Sequence, residues 1–398
     1  MTTPPGGRIL IVMRRIYLDH TATTPLDPRV MEAMRPCFSG TFGNASSVHS
    51  YGRDSRELLE RARGIIAEGV GAEPAEIFFT SGGTEADNLA FFGVMSAARE
   101  REGIVTSRAE HHAVLEPCRY LAGKGKEVSF LPVDPYGAVD IDALRRQVGG
   151  GTALVSIMHA NNETGTISGI QSIAGIAHQA GALFHTDAVQ SAGKLPLDVR
   201  GLGVDLMTLS AHKMYGPKGI GALFVRRGVP VDPMLHGGGQ ERGRRPGTEN
   251  VPLAVGFAEA FRLAIQEREE ESSRLRSLRD SLELRIREAF PEVLVNGDRA
   301  ERLPHILNIS FPGELFPIEG DMLVMNMDLE GIAVTSGSAC TSGSLDPSHV
   351  ILAMGRDEKT AKATLRFSFG KGNTMDDVGH VAEKLNVVIR RMLKKPAG

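Results

Sequence analysis

Cysteine is scarce in this chain, with three residues in 398, Cys37, Cys118 and Cys340. They are too few and too widely spaced for a disulfide framework or a Cys-x-x-Cys metal site, which excludes a structural zinc and fits a reducing compartment. Long apolar runs are also missing. The longest near the start, Ile9 to Met13, falls far short of the roughly 20 residues needed to cross a bilayer and lacks a small-residue cleavage pattern, so the chain reads as cytoplasmic, without membrane contact. Nor is there an excess of one charge: 45 Lys and Arg against 48 Asp and Glu leave a net −3, which argues against nucleic acid as the main partner. Arg242, Arg244 and Arg245 form a local cluster that calls for a local explanation. Apolar residues make up 41% of the chain, ample for a large core.

From about residue 60 onward, short apolar runs alternate with helical patterns, the sequence form of an α/β protein with a mostly parallel sheet. The expected strands are Ile77 to Thr80, Gly103 to Thr106, Val128 to Leu131, Ala153 to Met158, Ala182 to Thr186, Asp205 to Leu209 and Gly221 to Val225. Several are near-continuously apolar, as strands covered on both faces are. Helical stretches include Asp54 to Gly69 and Ile170 to Gln179, and Pro252 to Phe290 reads as one long helix or a pair. The domain boundary is expected inside it, giving a leader over 1–15, a large domain over 16–262 and a smaller α/β domain over 263–398. That smaller domain has strands at His305 to Ser310, Ile332 to Thr335 and Thr364 to Ser368, and helices at Glu319 to Leu329 and Met375 to Leu393.

Ligands of open parallel sheets bind where strands end, so the residues after each run matter most. Ser81-Gly82-Gly83-Thr84-Glu85 after the first run is either a strand-to-helix turn or a phosphate cradle at the positive end of a helix. Asp187, after Ala182 to Thr186, either caps a helix or keeps a heterocyclic nitrogen protonated. Lys213 lies in a glycine-bounded turn after a buried strand, where desolvation frees an amine for Schiff-base chemistry. Cys340 sits among small polar residues from Thr335 to Ser344, a setting for a nucleophilic thiol on a mobile arm, whereas Cys37 and Cys118 read as small buried hydrophobes. His111-His112 lacks metal-site spacing, and no metal is expected.

In combination, Tyr17 to Pro25, Thr80 to Asn88, Glu110 to Val114, Met158 to Glu163, His212-Lys213 and the Cys340 loop resemble cysteine desulfurases of the NifS/IscS type, within the fold-type I, class V aminotransferase-like enzymes that use pyridoxal 5′-phosphate. The resemblance runs from about Ile16 to Met392 and implies a large domain with a mainly parallel seven-stranded sheet plus a smaller α/β domain. It implies a Schiff base on Lys213, Asp187 on the pyridine nitrogen, His111 stacked on the ring, and Asn162 and Gln190 at the ring oxygen. The phosphate would rest on Gly83, Thr84, Ser210 and His212, with Thr248 reaching in from the second subunit of a homodimer. Arg366, with Asn162 nearby, would hold the carboxylate of L-cysteine. Cys340, in a loop over 336–348, would become a persulfide, leave alanine behind, and serve a sulfur-acceptor protein such as an iron–sulfur scaffold. Rival readings are another lyase or an aminotransferase of the same fold, including a selenocysteine lyase, or a silent sulfur-trafficking protein; the Cys340 loop argues against an aminotransferase, and the retained Lys213, Asp187, His111 and Cys340 argue against a silent protein.

Overall fold

The computed structural model describes residues 14–98, 100–336 and 346–394. Its twelve strands are β1 (Ile16–Tyr17), β2 (Ile77–Thr80), β3 (Gly103–Ser107), β4 (Val128–Leu131), β5 (Thr152–Ser156), β6 (Leu183–Asp187), β7 (Leu206–Ser210), β8 (Gly221–Val225), β9 (Leu294–Asn296), β10 (Ile306–Ser310), β11 (Ile332–Ala333) and β12 (Thr364–Ser368). Seven of them form one sheet in the order β2-β8-β7-β6-β5-β3-β4. The central strands are buried along their whole length because helices cover both faces, and their near-continuous apolar sequences reflect that.

All neighbours in this sheet are parallel except around β8, which runs antiparallel to β2 and to β7. The reversal follows from chain length. The stretch from Ser210 to Gly221 is too short for a helical crossover, so β8 must return beside β7, and the turn between them carries Lys213. A Cβ on Gly221 would lie 2.6 Å from the Leu209 carbonyl oxygen and 2.7 Å from the Gly82 carbonyl carbon, so only glycine lets the Gly82–Gly83 turn settle against β8. From β3 the chain goes outward to β4 and then returns to the other side of β3 for β5. The carboxyl ends of β3 and β5 therefore form the switch point where such sheets open a cleft.

The second half differs from the sequence reading. β12-β10-β9 form a separate antiparallel sheet, with β9 not anticipated, and Ile332–Ala333 pairs with Ile16–Tyr17 in a two-stranded parallel ribbon. A three-residue strand such as β9 carries too little periodicity to be read from sequence, and no strand's own residues say which distant strand it will pair with. Pro252 to Phe290 is a single helix, Val251–Ala289, of 39 residues. Its first half (Phe257, Phe261) packs into the core against the large sheet, and its second half (Leu278, Leu282, Ile286) packs with Leu307, Phe311, Phe367 and Leu385. Among the described residues no helix is long and apolar enough to cross a membrane.

Candidate active site

The ends of β2, β3, β5, β6 and β7 converge on a cavity of about 350 Å³ lined by Gly83, Thr84, His111, Asn162, Asp187, Gln190, Ser210, His212, Lys213 and Arg366, residues spread from one end of the chain to the other. Lys213 stands in the one-turn helix after β7, and its Nζ donates to the carbonyl oxygens of Thr21 (2.5 Å) and Ala22 (2.7 Å). Asp187 closes β6, and its Oδ1 accepts the Val189 N–H at 2.8 Å. Burial pushes its carboxyl up to about 6, against the opposing pull of that N–H and of the Lys213 charge.

His111 caps the helix His112–Gly123, its Nδ1 accepting the Ala113 N–H at 3.1 Å. Burial, with the positive charge of Lys213 behind it, lowers the imidazole to about 4, so the ring is neutral at pH 7 with its proton on Nε2. Gln190 donates from Nε2 to the Thr21 carbonyl at 3.0 Å, while its buried Oε1 has no partner among the described residues.

The glycine turn after β2 starts the helix Gly83–Ala97, and Gly82 at its N-cap offers no side chain to the first N–H groups. A second hollow, of about 360 Å³, opens over that helix end and is walled by Thr23, Ser81, Gly83, Thr84, Ser210 and His212. The buried Ser210 Oγ has no partner among the described residues. Uncapped N–H groups, a helix dipole and a spare hydroxyl together suit a phosphate. His212 Nδ1 lies 3.2 Å from Thr23 Oγ1 at the rim. Gly83 packs so tightly that a Cβ there would meet Val189 Cγ2 at 3.0 Å.

Arg366, buried at the centre of β12, reaches across from the small sheet. Its Nη1 donates to the Asn162 carbonyl (3.0 Å) and its Nη2 to Asp19 Oδ1 (2.9 Å).

Two expected members stand apart. Thr248 does not line this cavity; in its own chain it lines a neighbouring depression that shares Ser81 and Gly219 with the phosphate hollow. Cys340 lies outside the described residues, as does most of the 336–348 loop. Cys37 and Cys118 are buried free thiols, as anticipated, and burial raises both.

Some site residues were not singled out in the sequence. Asp87, Glu163 and His349 also line the cavity; His349 comes from a distant segment and donates from Nε2 to the Glu110 carbonyl at 2.9 Å. An acidic residue inside the apolar pattern of Ala86 to Phe92 was the one available hint of Asp87, which burial and the Asp187 charge push well up. The arginine cluster also has its explanation. Arg242 and Arg244 lie over the Phe78 ring and Arg245 bonds Glu85 at 2.7 Å. Glu241 and Arg242 hold left-handed backbone (φ 47° and 57°), which the buried pair of Arg63 with Glu241, two bonds of 2.7 Å, keeps in place.

Comparison with known proteins agrees with this geometry. The family described as Aminotransferase class-V matches residues 16–381. The chain is 46% identical to a cysteine desulfurase IscS of Dictyoglomus turgidum over 95% of both chains. It superposes on a solved NifS-like protein with a TM-score of 0.88 at 37% identity, covering 95% of this chain and 100% of the other. A second solved structure, SspA in complex with cysteine, aligns with a TM-score of 0.76 at 34% identity over 89% of this chain and 98% of the other. With its sheet, its lysine turn and its match over nearly the whole length, the chain belongs to the class-V aminotransferase family.

Proposed function

We propose that this chain is a cysteine desulfurase that binds pyridoxal 5′-phosphate, converts L-cysteine to L-alanine and passes the sulfur to Cys340 as a persulfide. The observation that carries the reading is the convergence of Lys213, Asp187, His111 and Arg366 on one cavity beside an uncapped helix end, in a chain similar to proteins named cysteine desulfurase. The residues present fit the cofactor: Ser210 Oγ and Gln190 Oε1 are buried acceptors or donors without partners, and a carboxylate closes the cavity at Asp187.

When bound, pyridoxal phosphate supplies an electron sink for cleavage of the carbon–sulfur bond. Gly83, Thr84, Ser210 and His212 would hold its phosphate, and Asp187 would hold a proton on its ring nitrogen. Lys213 Nζ takes the proton from the substrate's α-carbon and returns one to carbon as the sulfur leaves. The neutral His111 ring covers one wall, and Arg366 binds the substrate carboxylate through its planar fork. The Cys340 thiolate attacks the substrate's sulfur; a carbon–sulfur bond breaks, a sulfur–sulfur bond forms, and a thiol plus cysteine become a persulfide plus alanine with no external oxidant or reductant.

The same reading makes the protein a cytoplasmic homodimer, in which the partner subunit's Thr248 completes the phosphate hollow and an acceptor protein, such as an iron–sulfur scaffold, receives the sulfur. Supporting it are the depression around Thr248 that borders this hollow, the buried free thiols and the IscS name of the Dictyoglomus relative. It also divides the chain into units over 16–262 and 263–398, supported by the change of packing partners along the long helix.

The test is incubation with L-cysteine followed by mass spectrometry. The expected result is alanine released together with a gain of one sulfur on Cys340. In Cys340→Ser, alanine release should drop by about a hundredfold or more while the cofactor stays bound, because binding and thiol attack use different residues. Unimpaired alanine release from that variant overturns the reading.

A further inference from the structure

Behind the turn that carries Lys213 lies a second cavity, of about 60 Å³, room for a few water molecules. Lys213 is in the wall of both cavities. Charged and polar residues in its wall also include His20, Lys194, Tyr215, His305 and Lys371, with Glu267, Arg268 and Glu271 of the long helix.

Lys194 occupies a singular place there. It follows Gly193, whose left-handed backbone (φ 72°) packs against Ala264, and its Nζ donates to the main-chain carbonyl oxygen of Lys213 at 3.1 Å. No carboxylate among the described residues lies within ion-pair distance of it. Glu267 is engaged by Arg29 and Lys371, and Glu271 by Arg274. The other groups facing it are basic: Lys213, His212, His20 and His305 all feel its charge or act on it. Burial, reinforced by the Lys213 charge, brings the Lys194 ammonium down to about 8, so at pH 7 it is still a cation. The chamber also holds unpartnered polar atoms, since His20 Nδ1 and both ring nitrogens of the buried His305, one a donor and one an acceptor, have no partner among the described residues.

We propose that Lys194 is a positioning residue for Lys213: it clamps the lysine turn through the Lys213 carbonyl and, as an unneutralised cation behind it, favours the uncharged form of the Lys213 side-chain nitrogen in the cofactor-loaded protein. Two like charges held in a poorly solvated interior disfavour each other, and here Lys194 opposes Asp187, the acidic group that favours the Lys213 charge from the other cavity. The back chamber has room for water to solvate the Lys194 ammonium, and its imidazole nitrogens would help to hold that water. The role rests on the reading of Lys213 as the lysine that holds pyridoxal phosphate.

The experiment is a pH titration of the visible absorbance of the cofactor-loaded, full-length protein, with wild type, Lys194→Gln, Lys194→Met and Lys194→Arg. Removing the neighbouring charge should raise the titration midpoint by about one pH unit in the Gln and Met variants, and the Arg variant should stay with wild type. Gln retains an N–H donor for the Lys213 carbonyl and so separates charge from clamp. An unshifted or lowered midpoint in Lys194→Gln overturns the proposal, as does an equal shift in Lys194→Arg. Loss of native circular dichroism in both neutral variants would make Lys194 a structural residue and overturn it too. A wild-type protein with no visible band would overturn the cofactor reading itself, and the Lys194 role with it.

Discussion

Arg366 and Asp19 face one another at the edge of the cavity, guanidinium Nη2 to carboxylate Oδ1 at 2.9 Å, although 347 residues separate them in sequence. Arg366 is buried, its Nη1 is taken by the Asn162 carbonyl, and its Nε has no partner among the described residues. The arginine is thus held from two sides with a donor to spare, which is how a residue waiting for a carboxylate should be built.

That arrangement gives the first prediction. Arg366→Lys keeps the charge but cannot bond Asn162, Asp19 and a substrate carboxylate together. KM for L-cysteine should rise about tenfold or more, with a smaller effect on kcat. Cysteine titrations under steady-state conditions check this, and an unchanged KM would remove Arg366 from substrate binding.

Ser210 offers a cleaner separation of binding from folding. Its buried Oγ has no partner among the described residues, so Ser210→Ala should leave the urea midpoint of the cofactor-free protein unchanged or slightly raised. A hydroxyl lost from a charged ligand should weaken pyridoxal phosphate binding by about tenfold or more. Equilibrium binding beside urea denaturation reads both, and a large loss of stability with unchanged affinity would refute the phosphate role.

The pH dependence of stability has a definite sign. Burial holds His20, His111, His159 and His212 at about 4, His185 at about 3, and His305 well below its usual value. Between pH 6.5 and 4 the unfolded chain therefore takes up protons on these histidines that the folded one refuses, which favours unfolding as pH falls. Asp187 (about 6), Glu110 (about 8) and Asp87 act the other way, since burial raises them and their protonation favours the fold as pH falls. The histidines outnumber the carboxylates. The urea midpoint of the cofactor-free protein should be lower at pH 5 than at pH 7; a higher midpoint at pH 5 would contradict this balance.

Thr248 is tested by mixing subunits. If it serves the neighbouring subunit's phosphate hollow, Lys213→Ala and Thr248→Ala chains should each be poorly active alone. Mixed dimers would contain one intact site, so activity should recover on refolding the two together. No recovery, with mixed dimers shown by mass spectrometry, would place Thr248 outside the site.

The strands of the large sheet and the chemistry at their ends were legible in the sequence for a local reason. A strand buried on both faces must be apolar throughout, and the polar residues that end it are the ones that face a ligand, so Asp187, Ser210 and Lys213 follow their runs directly. The pairing of Ile332–Ala333 with Ile16–Tyr17, the antiparallel sheet of β9, β10 and β12, and the recruitment of Asp87 and His349 left no such mark. Short strands and single polar residues have no periodicity of their own.

By itself the sequence determined which side chains could do chemistry and on which turns they sit, because turn geometry, helix ends and buried strands are dictated by neighbours along the chain. Only the tertiary structure decided which of them meet. Arg366 reaches the cavity because β12 packs beside β10 and bridges at Ser368 to Asp19, and Lys194 faces the back of Lys213 because the segment after β6 folds against the turn after β7. Such contacts depend on how distant segments share a common core, and the burial they create sets the charge state of Asp187, His111 and Lys194.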